Sequence, residues 1–125
     1  YPILPSVQAK AEHDILPVAA ADWIVQNKPA GNMFNSYNWG GYFVWRLWPE
    51  YPVFVDGRTD VYNTFLNEYT QVVFVQSGFE SVFDQHHIGF IVIESDSQLA
   101  TNLAQSDRWQ LAYNDTQAVI YTRRE

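Results

Sequence analysis

The sequence contains no cysteine, and this absence removes several kinds of chemistry. Without a thiol the chain forms no disulfide, no thiolate zinc site and no cysteine nucleophile. The same absence leaves the redox compartment undecided, because a set of disulfides is what would have indicated an oxidising one.

Positive charge is also scarce. Seven Lys and Arg residues stand against fourteen Asp and Glu residues, which gives a formal net charge of −7. The one basic cluster is Arg123-Arg124. Because phosphate binding needs a concentrated positive face, we expect no nucleic-acid partner. The acidity equally argues against a polybasic attachment to anionic lipid.

Long hydrophobic runs are missing as well. Apolar stretches such as 72–75 and 90–93 are far shorter than the roughly 20 residues that cross a bilayer, so we expect no membrane span. Residues 1–5 have neither the basic region nor the apolar core of a signal peptide. We interpret this N-terminus as a cut within a longer chain, whose upstream part would export the domain.

The residues that are present indicate one folded α/β domain over 1–125. Hydrophobic residues make up 47% of the chain and charged residues only 17%, which is not the composition of a disordered tail. Residues 1–14 contain two prolines and show no period, so we interpret them as an extended segment that leads into the fold. A chain of this length buries about two-thirds of its unfolded surface, enough for a single core.

Apolar periodicity predicts that strands and helices alternate. Helices are predicted over 17–27, over 79–86, from Thr59 or Asp60 to about Gln76, and from a cap at Asp96 to about 106. Strands are predicted over 33–36, 52–55 and 88–93, with a final hairpin of 109–113 and 118–122. The run 42–48 suits a helix or a strand, and we favour the helix. This order predicts a three-layer, Rossmann-like, mainly parallel sheet of about five strands with a C-terminal antiparallel hairpin.

The stretch Asn35-Ser36-Tyr37-Asn38-Trp39-Gly40-Gly41-Tyr42 follows the first predicted strand. In open α/β sheets ligands collect outside the carboxyl ends of strands, where a glycine-rich turn lets backbone N–H groups approach them. The full dinucleotide fingerprint is missing, and a strand-to-helix turn often needs glycine for its dihedral angles alone. The candidate ligand-binding residues of this stretch are Asn38, Trp39, Gly40, Gly41 and Tyr42.

A second polar stretch, Asp56-Gly57-Arg58-Thr59-Asp60, follows the predicted strand 52–55. If the first two strands are neighbours, its carboxylates and guanidinium lie beside the Trp39 turn and form a polar rim, which makes Asp56, Arg58 and Asp60 candidate ligand-binding residues. The alternative is structural: Arg58 bridges the two aspartates while Asp60 caps the next helix.

No catalytic residue, metal site or cofactor is predicted. His86 and His87 lack the i, i+4 spacing that places two imidazoles on one helical face. There is no G-x-S-x-G motif, and neither Ser36 nor Ser95 has an evident partner. The triplet Asn114-Asp115-Thr116 matches the N-glycosylation acceptor pattern, but hairpin-turn chemistry is a sufficient explanation of it.

Three stretches carry a resemblance to a known family: Ala21-Asp22-Trp23-Ile24, the run 34–42, and Val55-Asp56-Gly57-Arg58-Thr59-Asp60-Val61-Tyr62. Together they resemble the soluble C-terminal domain of bacterial polytopic membrane proteins of the GT-C glycosyltransferase type. The chain is more distantly similar to the C-terminal domain of the oligosaccharyltransferase catalytic subunit, which contains a W-W-D-Y-G motif. Asn38-Trp39-Gly40-Gly41-Tyr42 occupies the corresponding place, but Gly40 stands where that motif has its aspartate. Recognition of a peptide acceptor therefore does not carry over.

The resemblance implies an accessory domain on the extracytoplasmic face of the cell membrane. Such a domain would position a glycan or peptide acceptor or contact its own transmembrane domain. In GT-C enzymes the catalytic carboxylate and the lipid-linked donor lie in the membrane part, so the isolated domain is expected to be inactive. The alternatives are a free-standing small-ligand or nucleotide-binding α/β module and a ligand-free scaffold.

Overall fold

The computed structural model describes residues 16–48, 50–54 and 64–124. Its helices are α1 (Val18–Asn27), α2 (Gly40–Leu47), α3 (Thr64–Val73), α4 (Phe79–Gln85) and α5 (Gln98–Ala104). Its strands are β1 (Asn32–Asn35), β2 (Ile88–Glu94), β3 (Trp109–Asn114) and β4 (Ala118–Arg123), and a 3₁₀ turn, Tyr37–Trp39, joins β1 to α2. The helix favoured over 42–48 is confirmed by α2.

The four strands form one mixed sheet in the order β1-β2-β4-β3. Only β1 and β2 are parallel, whereas β4 is antiparallel to both of its neighbours. The expectation of a mainly parallel, five-stranded sheet is therefore not confirmed for the described residues. Because β4 is antiparallel to both β2 and β3, β3 runs in the same direction as β2. The returning hairpin strand β4 fills the place between them, so this antiparallel strand is internal to the sheet.

The predicted strand over 52–55 is not seen in its described part, residues 52–54, while Val55 lies outside the described residues. The Phe54 ring packs against Phe34 at 4.8 Å between ring centroids. Its backbone N–H donates to the side chain of Asn35 at 2.6 Å, not to a strand. A short apolar run predicts burial more safely than it predicts a strand, because irregular segments also cover cores.

The two faces of the sheet carry separate cores, as the alternation of side chains along a strand requires. On β2, Ile91 and Ile93 lie in one core, whose helical residues include Val72, Phe83 and Leu103. On the same strand, Phe90 and Val92 lie in the other core, whose helical residues include Ala20, Ile24, Phe43 and Leu47. Helices α3, α4 and α5 therefore cover one face, and α1 and α2 cover the other. The three-layer arrangement is confirmed.

Two helix ends differ from the expectation. The cap of α5 is Ser97 and not Asp96, since Ser97 Oγ accepts a hydrogen bond from the Ala100 N–H at 3.1 Å. Helix α3 ends at Val73, before the predicted end at Gln76, and Val75 has a left-handed φ of 52°. The predicted start of this helix at Thr59 or Asp60 lies outside the described residues.

At the amino ends of the parallel pair the two backbones touch. A Cβ on Gly89 would lie 1.9 Å from the Ala30 carbonyl oxygen and 2.6 Å from the Gly31 Cα. Gly31 itself has a φ of +88°, which residues with a side chain rarely adopt. Glycine at 31 and 89 thus permits the register in which β1 and β2 pair.

Candidate functional site

The carboxyl ends of β1 and β2 meet because the two strands are parallel neighbours. The Ser36 hydroxyl donates a 2.6 Å hydrogen bond to Oε2 of Glu94. The Asn38 side-chain amide donates to the same oxygen at 3.2 Å. We call this group, with Asn35 and Tyr69, the Ser36–Glu94 cluster.

Ser36 is fully buried and occupies the bend between β1 and the 3₁₀ turn. Its N–H donates to the Val92 carbonyl at 3.2 Å, which extends the strand pairing by one residue. Its Oγ accepts from the Asn38 N–H at 3.2 Å and so caps the turn. Because the hydroxyl accepts from the turn and donates to Glu94, its buried polar atom is satisfied.

Asn35 is also fully buried, and it connects the end of β1 to the segment 50–54. Its amide nitrogen donates to the Ser36 carbonyl at 2.9 Å. Its amide oxygen accepts from the Phe54 N–H at 2.6 Å. The side chain therefore holds the start of the segment that continues into Asp56, Arg58 and Asp60.

Tyr69 brings helix α3 to the cluster. Its hydroxyl oxygen accepts from the Tyr37 N–H at 3.0 Å, and its ring stacks on Phe34 at 5.7 Å between centroids. Burial raises the pKa of Tyr69, the hydrogen bond from the Tyr37 N–H opposes this rise, and the negative charge of Glu94 adds to it. The phenol is therefore neutral at physiological pH.

The electrostatic character of the cluster follows from these contacts. The donors that hold Glu94 are a hydroxyl and an amide, which are both neutral. No Lys or Arg of the described residues forms an ion pair with this carboxylate. Within 16–48, 50–54 and 64–124, no side chain donates a hydrogen bond to Oε1 of Glu94. A partly buried carboxylate of this kind suits a ligand that donates hydrogen bonds, such as a hydroxyl or an amide.

The residues predicted in the Trp39 stretch fall in different places. Asn38 joins the cluster, whereas Trp39 is only 4% exposed and packs its ring edge-to-face against Phe43. Gly40 is buried, while Gly41 is exposed with no atom within 4 Å of where a Cβ would lie. The Tyr42 hydroxyl accepts a 2.7 Å hydrogen bond from Arg46.

The candidates Asp56, Arg58 and Asp60 lie outside the described residues. The sequence interpretation also missed the partner of Ser36, which is Glu94, 58 residues further along the chain. One signal could have found Glu94: it directly follows the apolar run of a buried strand that was expected to be parallel. The argument that selected Asn38 at the end of β1 applies equally to the end of β2.

Two aromatic side chains are exposed on or beside α2. Trp45 is 76% exposed and Trp48 is 60% exposed. Arg46, between them in sequence, forms an ion pair with Asp22 of α1 at 2.7 Å.

An open groove of about 830 Å³ lies at the other end of the sheet, beside the amino ends of β1 and β2. Its charged side chains are largely paired with one another. Asp84 binds Arg108 at 2.9 Å and Arg123 at 3.1 Å. Arg123 also donates to the Ile88 carbonyl at 2.7 Å and lies 4.7 Å from the centre of the Trp109 ring. These contacts tie Asp84 and Arg123 of the groove into the fold.

Two features are absent from the same described ranges. None of their helices is long and apolar enough to cross a bilayer. Nor do those ranges bring together three His, Asp or Glu side chains that could hold a metal ion.

No protein family matches the sequence, and no curated protein matches it by sequence. The chain is similar to a solved structure, the C-terminal globular domain of an oligosaccharyltransferase from Archaeoglobus fulgidus. The TM-score is 0.66, and the similarity covers 86% of this chain and 95% of that domain, at 9% sequence identity. At this identity the likeness shows the fold alone. The chain therefore shares its α/β architecture with that domain.

Proposed function

We propose that this chain is an accessory domain of a membrane-bound glycosyltransferase-like protein, located on the extracytoplasmic face and not catalytic by itself. The observation that carries the proposal is the shared fold with an oligosaccharyltransferase C-terminal domain, which extends over 95% of that domain. The resemblance of the stretches around Trp39 and Asp56 to GT-C proteins supports the same assignment. The chemistry of transfer would then belong to the membrane part of the parent protein.

The Ser36–Glu94 cluster is the surface that we assign to acceptor positioning. It lies at the carboxyl ends of parallel strands, where open α/β sheets bind ligands. Its carboxylate is held in one orientation by Ser36 and Asn38, so it is already placed to accept a hydrogen bond from a glycan hydroxyl or a peptide amide. Asp56, Arg58 and Asp60, on the segment that Asn35 tethers at Phe54, would complete this surface.

The same surface could equally contact the transmembrane domain. In both cases a change at Glu94 would reduce transfer without altering the donor site. Helix α2 and the 3₁₀ turn, which contain Trp39, Gly40, Gly41 and Tyr42, would contribute by shaping the turn that holds Asn38. This role agrees with the burial of Trp39.

The test uses the full-length protein in cells whose own copy of the gene is deleted. Glycolipids and glycoproteins of those cells are compared by mass spectrometry after complementation with the unchanged gene or with Glu94→Gln. We expect the product that is lost on deletion to return with the unchanged gene. With Glu94→Gln it should return at about a tenth of that level, which corresponds to the roughly 1.4 kcal/mol expected for a charged hydrogen bond.

The matched control is Asn102→Ala on α5, an exposed residue away from the cluster. It should restore the product fully. Equal product with Glu94→Gln and the unchanged gene, at equal protein level, would contradict the role of the cluster. Unchanged glycosylation after deletion of the gene would contradict the proposed function as a whole.

A further inference from the structure

The tip of the β3–β4 hairpin contains Asn114-Asp115-Thr116, which fits the Asn-X-Ser/Thr acceptor pattern of N-glycosylation. In the sequence, turn chemistry was a sufficient reason for all three residues. The structure distinguishes the roles of the three residues, because the turn depends on only one of their side chains.

Asp115 alone among these side chains builds the turn. Its Oδ1 accepts hydrogen bonds from the N–H groups of Gln117 and Ala118, both at 2.7 Å. Its Oδ2 accepts from the Tyr113 hydroxyl. Burial opposes ionisation of Asp115, but these hydrogen bonds outweigh it and lower its pKa. The middle residue of the triplet is therefore explained by the fold.

The side chains of Asn114 and Thr116 take no part in the hydrogen bonds of the turn. Both residues are exposed, and within the described part of the chain neither side chain forms a hydrogen bond. Thr116 is held through its backbone instead, since its carbonyl accepts from the Ser95 hydroxyl at 2.9 Å. The amide and the hydroxyl that define an acceptor triplet thus both face solvent at the hairpin tip, and the turn needs neither.

We propose that Asn114 is an N-glycosylation acceptor. This inference rests on the extracytoplasmic location in the proposed function, because the donor would be an oligosaccharide linked to a lipid diphosphate on that face. The Nδ2 of Asn114 forms a bond to the anomeric carbon of the first sugar. The bond from that carbon to the diphosphate oxygen breaks, the lipid diphosphate leaves, and one amide proton passes to a base of the transferase.

The modified loop would stand at the same end of the sheet as the Ser36–Glu94 cluster. Glu94 pairs with Ala118 across β2 and β4, and the Ser95 N–H donates to the Gln117 carbonyl at 3.0 Å. A glycan on Asn114 would therefore lie near the surface that we assign to acceptor positioning.

The test is mass spectrometry of the full-length protein purified from its own cells. Trypsin, cutting after Arg108 and Arg123, releases the peptide 109–123, which contains the triplet. We expect most copies of this peptide to carry added hexose or N-acetylhexosamine mass on Asn114. Thr116→Ala and Asn114→Gln should each abolish the addition, whereas Thr116→Ser, which keeps the pattern, should retain it.

Ser95→Ala is the matched control for loop position, because it removes the Ser95–Thr116 hydrogen bond and leaves the triplet intact. It should keep the modification. An unmodified peptide 109–123, or a modification that persists in both Thr116→Ala and Asn114→Gln, would overturn the inference. Circular dichroism of each variant confirms that it is folded.

A second measurement separates this inference from the proposed function. The chain has no cysteine, so Asn102→Cys on exposed α5 introduces a thiol whose labelling is measured against the unsubstituted protein. A membrane-impermeant maleimide added to whole cells should label it. Labelling with an unmodified Asn114 would overturn the glycosylation site alone, whereas no labelling would overturn the extracytoplasmic location and the site together.

Discussion

The two ends of the β1–β2 pair differ in the groups that hold their charged side chains. At the amino ends the charged side chains pair with one another, as Asp84 does with Arg108 and Arg123. At the carboxyl ends the one carboxylate of the Ser36–Glu94 cluster is held by a neutral hydroxyl and a neutral amide.

This difference indicates which end of the strand pair stabilises the fold and which end is suited to bind a ligand. Opposite charges that pair at a surface contribute little net energy and leave little charge for a ligand. A carboxylate held by neutral donors keeps its full charge and a fixed direction. The amino end therefore serves the fold, and the carboxyl end is the better candidate for recognition, although the open groove of about 830 Å³ lies at the amino end.

The largest effect is expected from Gly89→Ala at the amino end. The new Cβ would lie 1.9 Å from the Ala30 carbonyl oxygen, and the contacting atoms are backbone, so the strands would have to move apart. We expect a loss of about 4 kcal/mol or more in the free energy of unfolding, measured by urea denaturation. Gly41→Ala is the control: nothing lies within 4 Å, so it should be neutral or stabilise by up to about 1 kcal/mol.

The next largest effect is expected from Asn35→Ala at the carboxyl end. It removes the hydrogen bonds that the fully buried Asn35 side chain forms with the Phe54 N–H and the Ser36 carbonyl, and each bond lost at such a site costs about 1–3 kcal/mol. We expect a loss of about 3 kcal/mol in the free energy of unfolding. Asn38→Ala, which removes an exposed amide, should change stability by less than about 1 kcal/mol. Equal effects of the two changes would remove the distinction between the scaffold and the surface of the cluster.

A smaller difference is expected between two arginines of the amino end. Arg123→Met removes an ion pair, a hydrogen bond to the Ile88 carbonyl and the contact with Trp109, and should cost about 2 kcal/mol. Arg108→Met removes more exposed ion pairs and should cost about 0–1 kcal/mol. Thermal unfolding at low and high salt measures the loss of stability that each of the two substitutions causes. A larger cost for Arg108 would show that the ion-pair network, and not the Arg123 anchor, holds this end.

The smallest effect concerns Asp115, beside the carboxyl end of β2. Its folded pKa lies below the ordinary aspartate pKa of 3.8, so its ionised form stabilises the folded state. This contribution is fully present above pH 3.8 and is lost as the pH falls through the folded pKa. In urea titrations between about pH 2 and 5, Asp115→Asn should show a shallower loss of stability than the unchanged chain. An identical slope in both proteins would contradict the role of the Asp115 carboxylate.

The sequence predicted the elements well where the pattern is local. The apolar run of 88–93 forms β2, an internal strand of the sheet. A continuous apolar run is typical of a strand that is covered on both faces. Helix α1 and the two hairpin strands also lie close to their predicted positions. Where the prediction failed, the missing information was a partner in space, as for β4, which takes the place between β2 and β3.

For the candidate site, the sequence alone determined that polar residues follow buried strands, that the chain lacks cysteine chemistry, and that its one basic cluster is Arg123-Arg124. Only the tertiary structure decided that Ser36 meets Glu94, that Trp39 turns into the core, and that Asp115 holds the hairpin turn. The physical reason is the distance along the chain over which each kind of signal acts. Periodicity and turn preference act over a few residues, whereas a hydrogen bond across 58 residues depends on which strand edges pair.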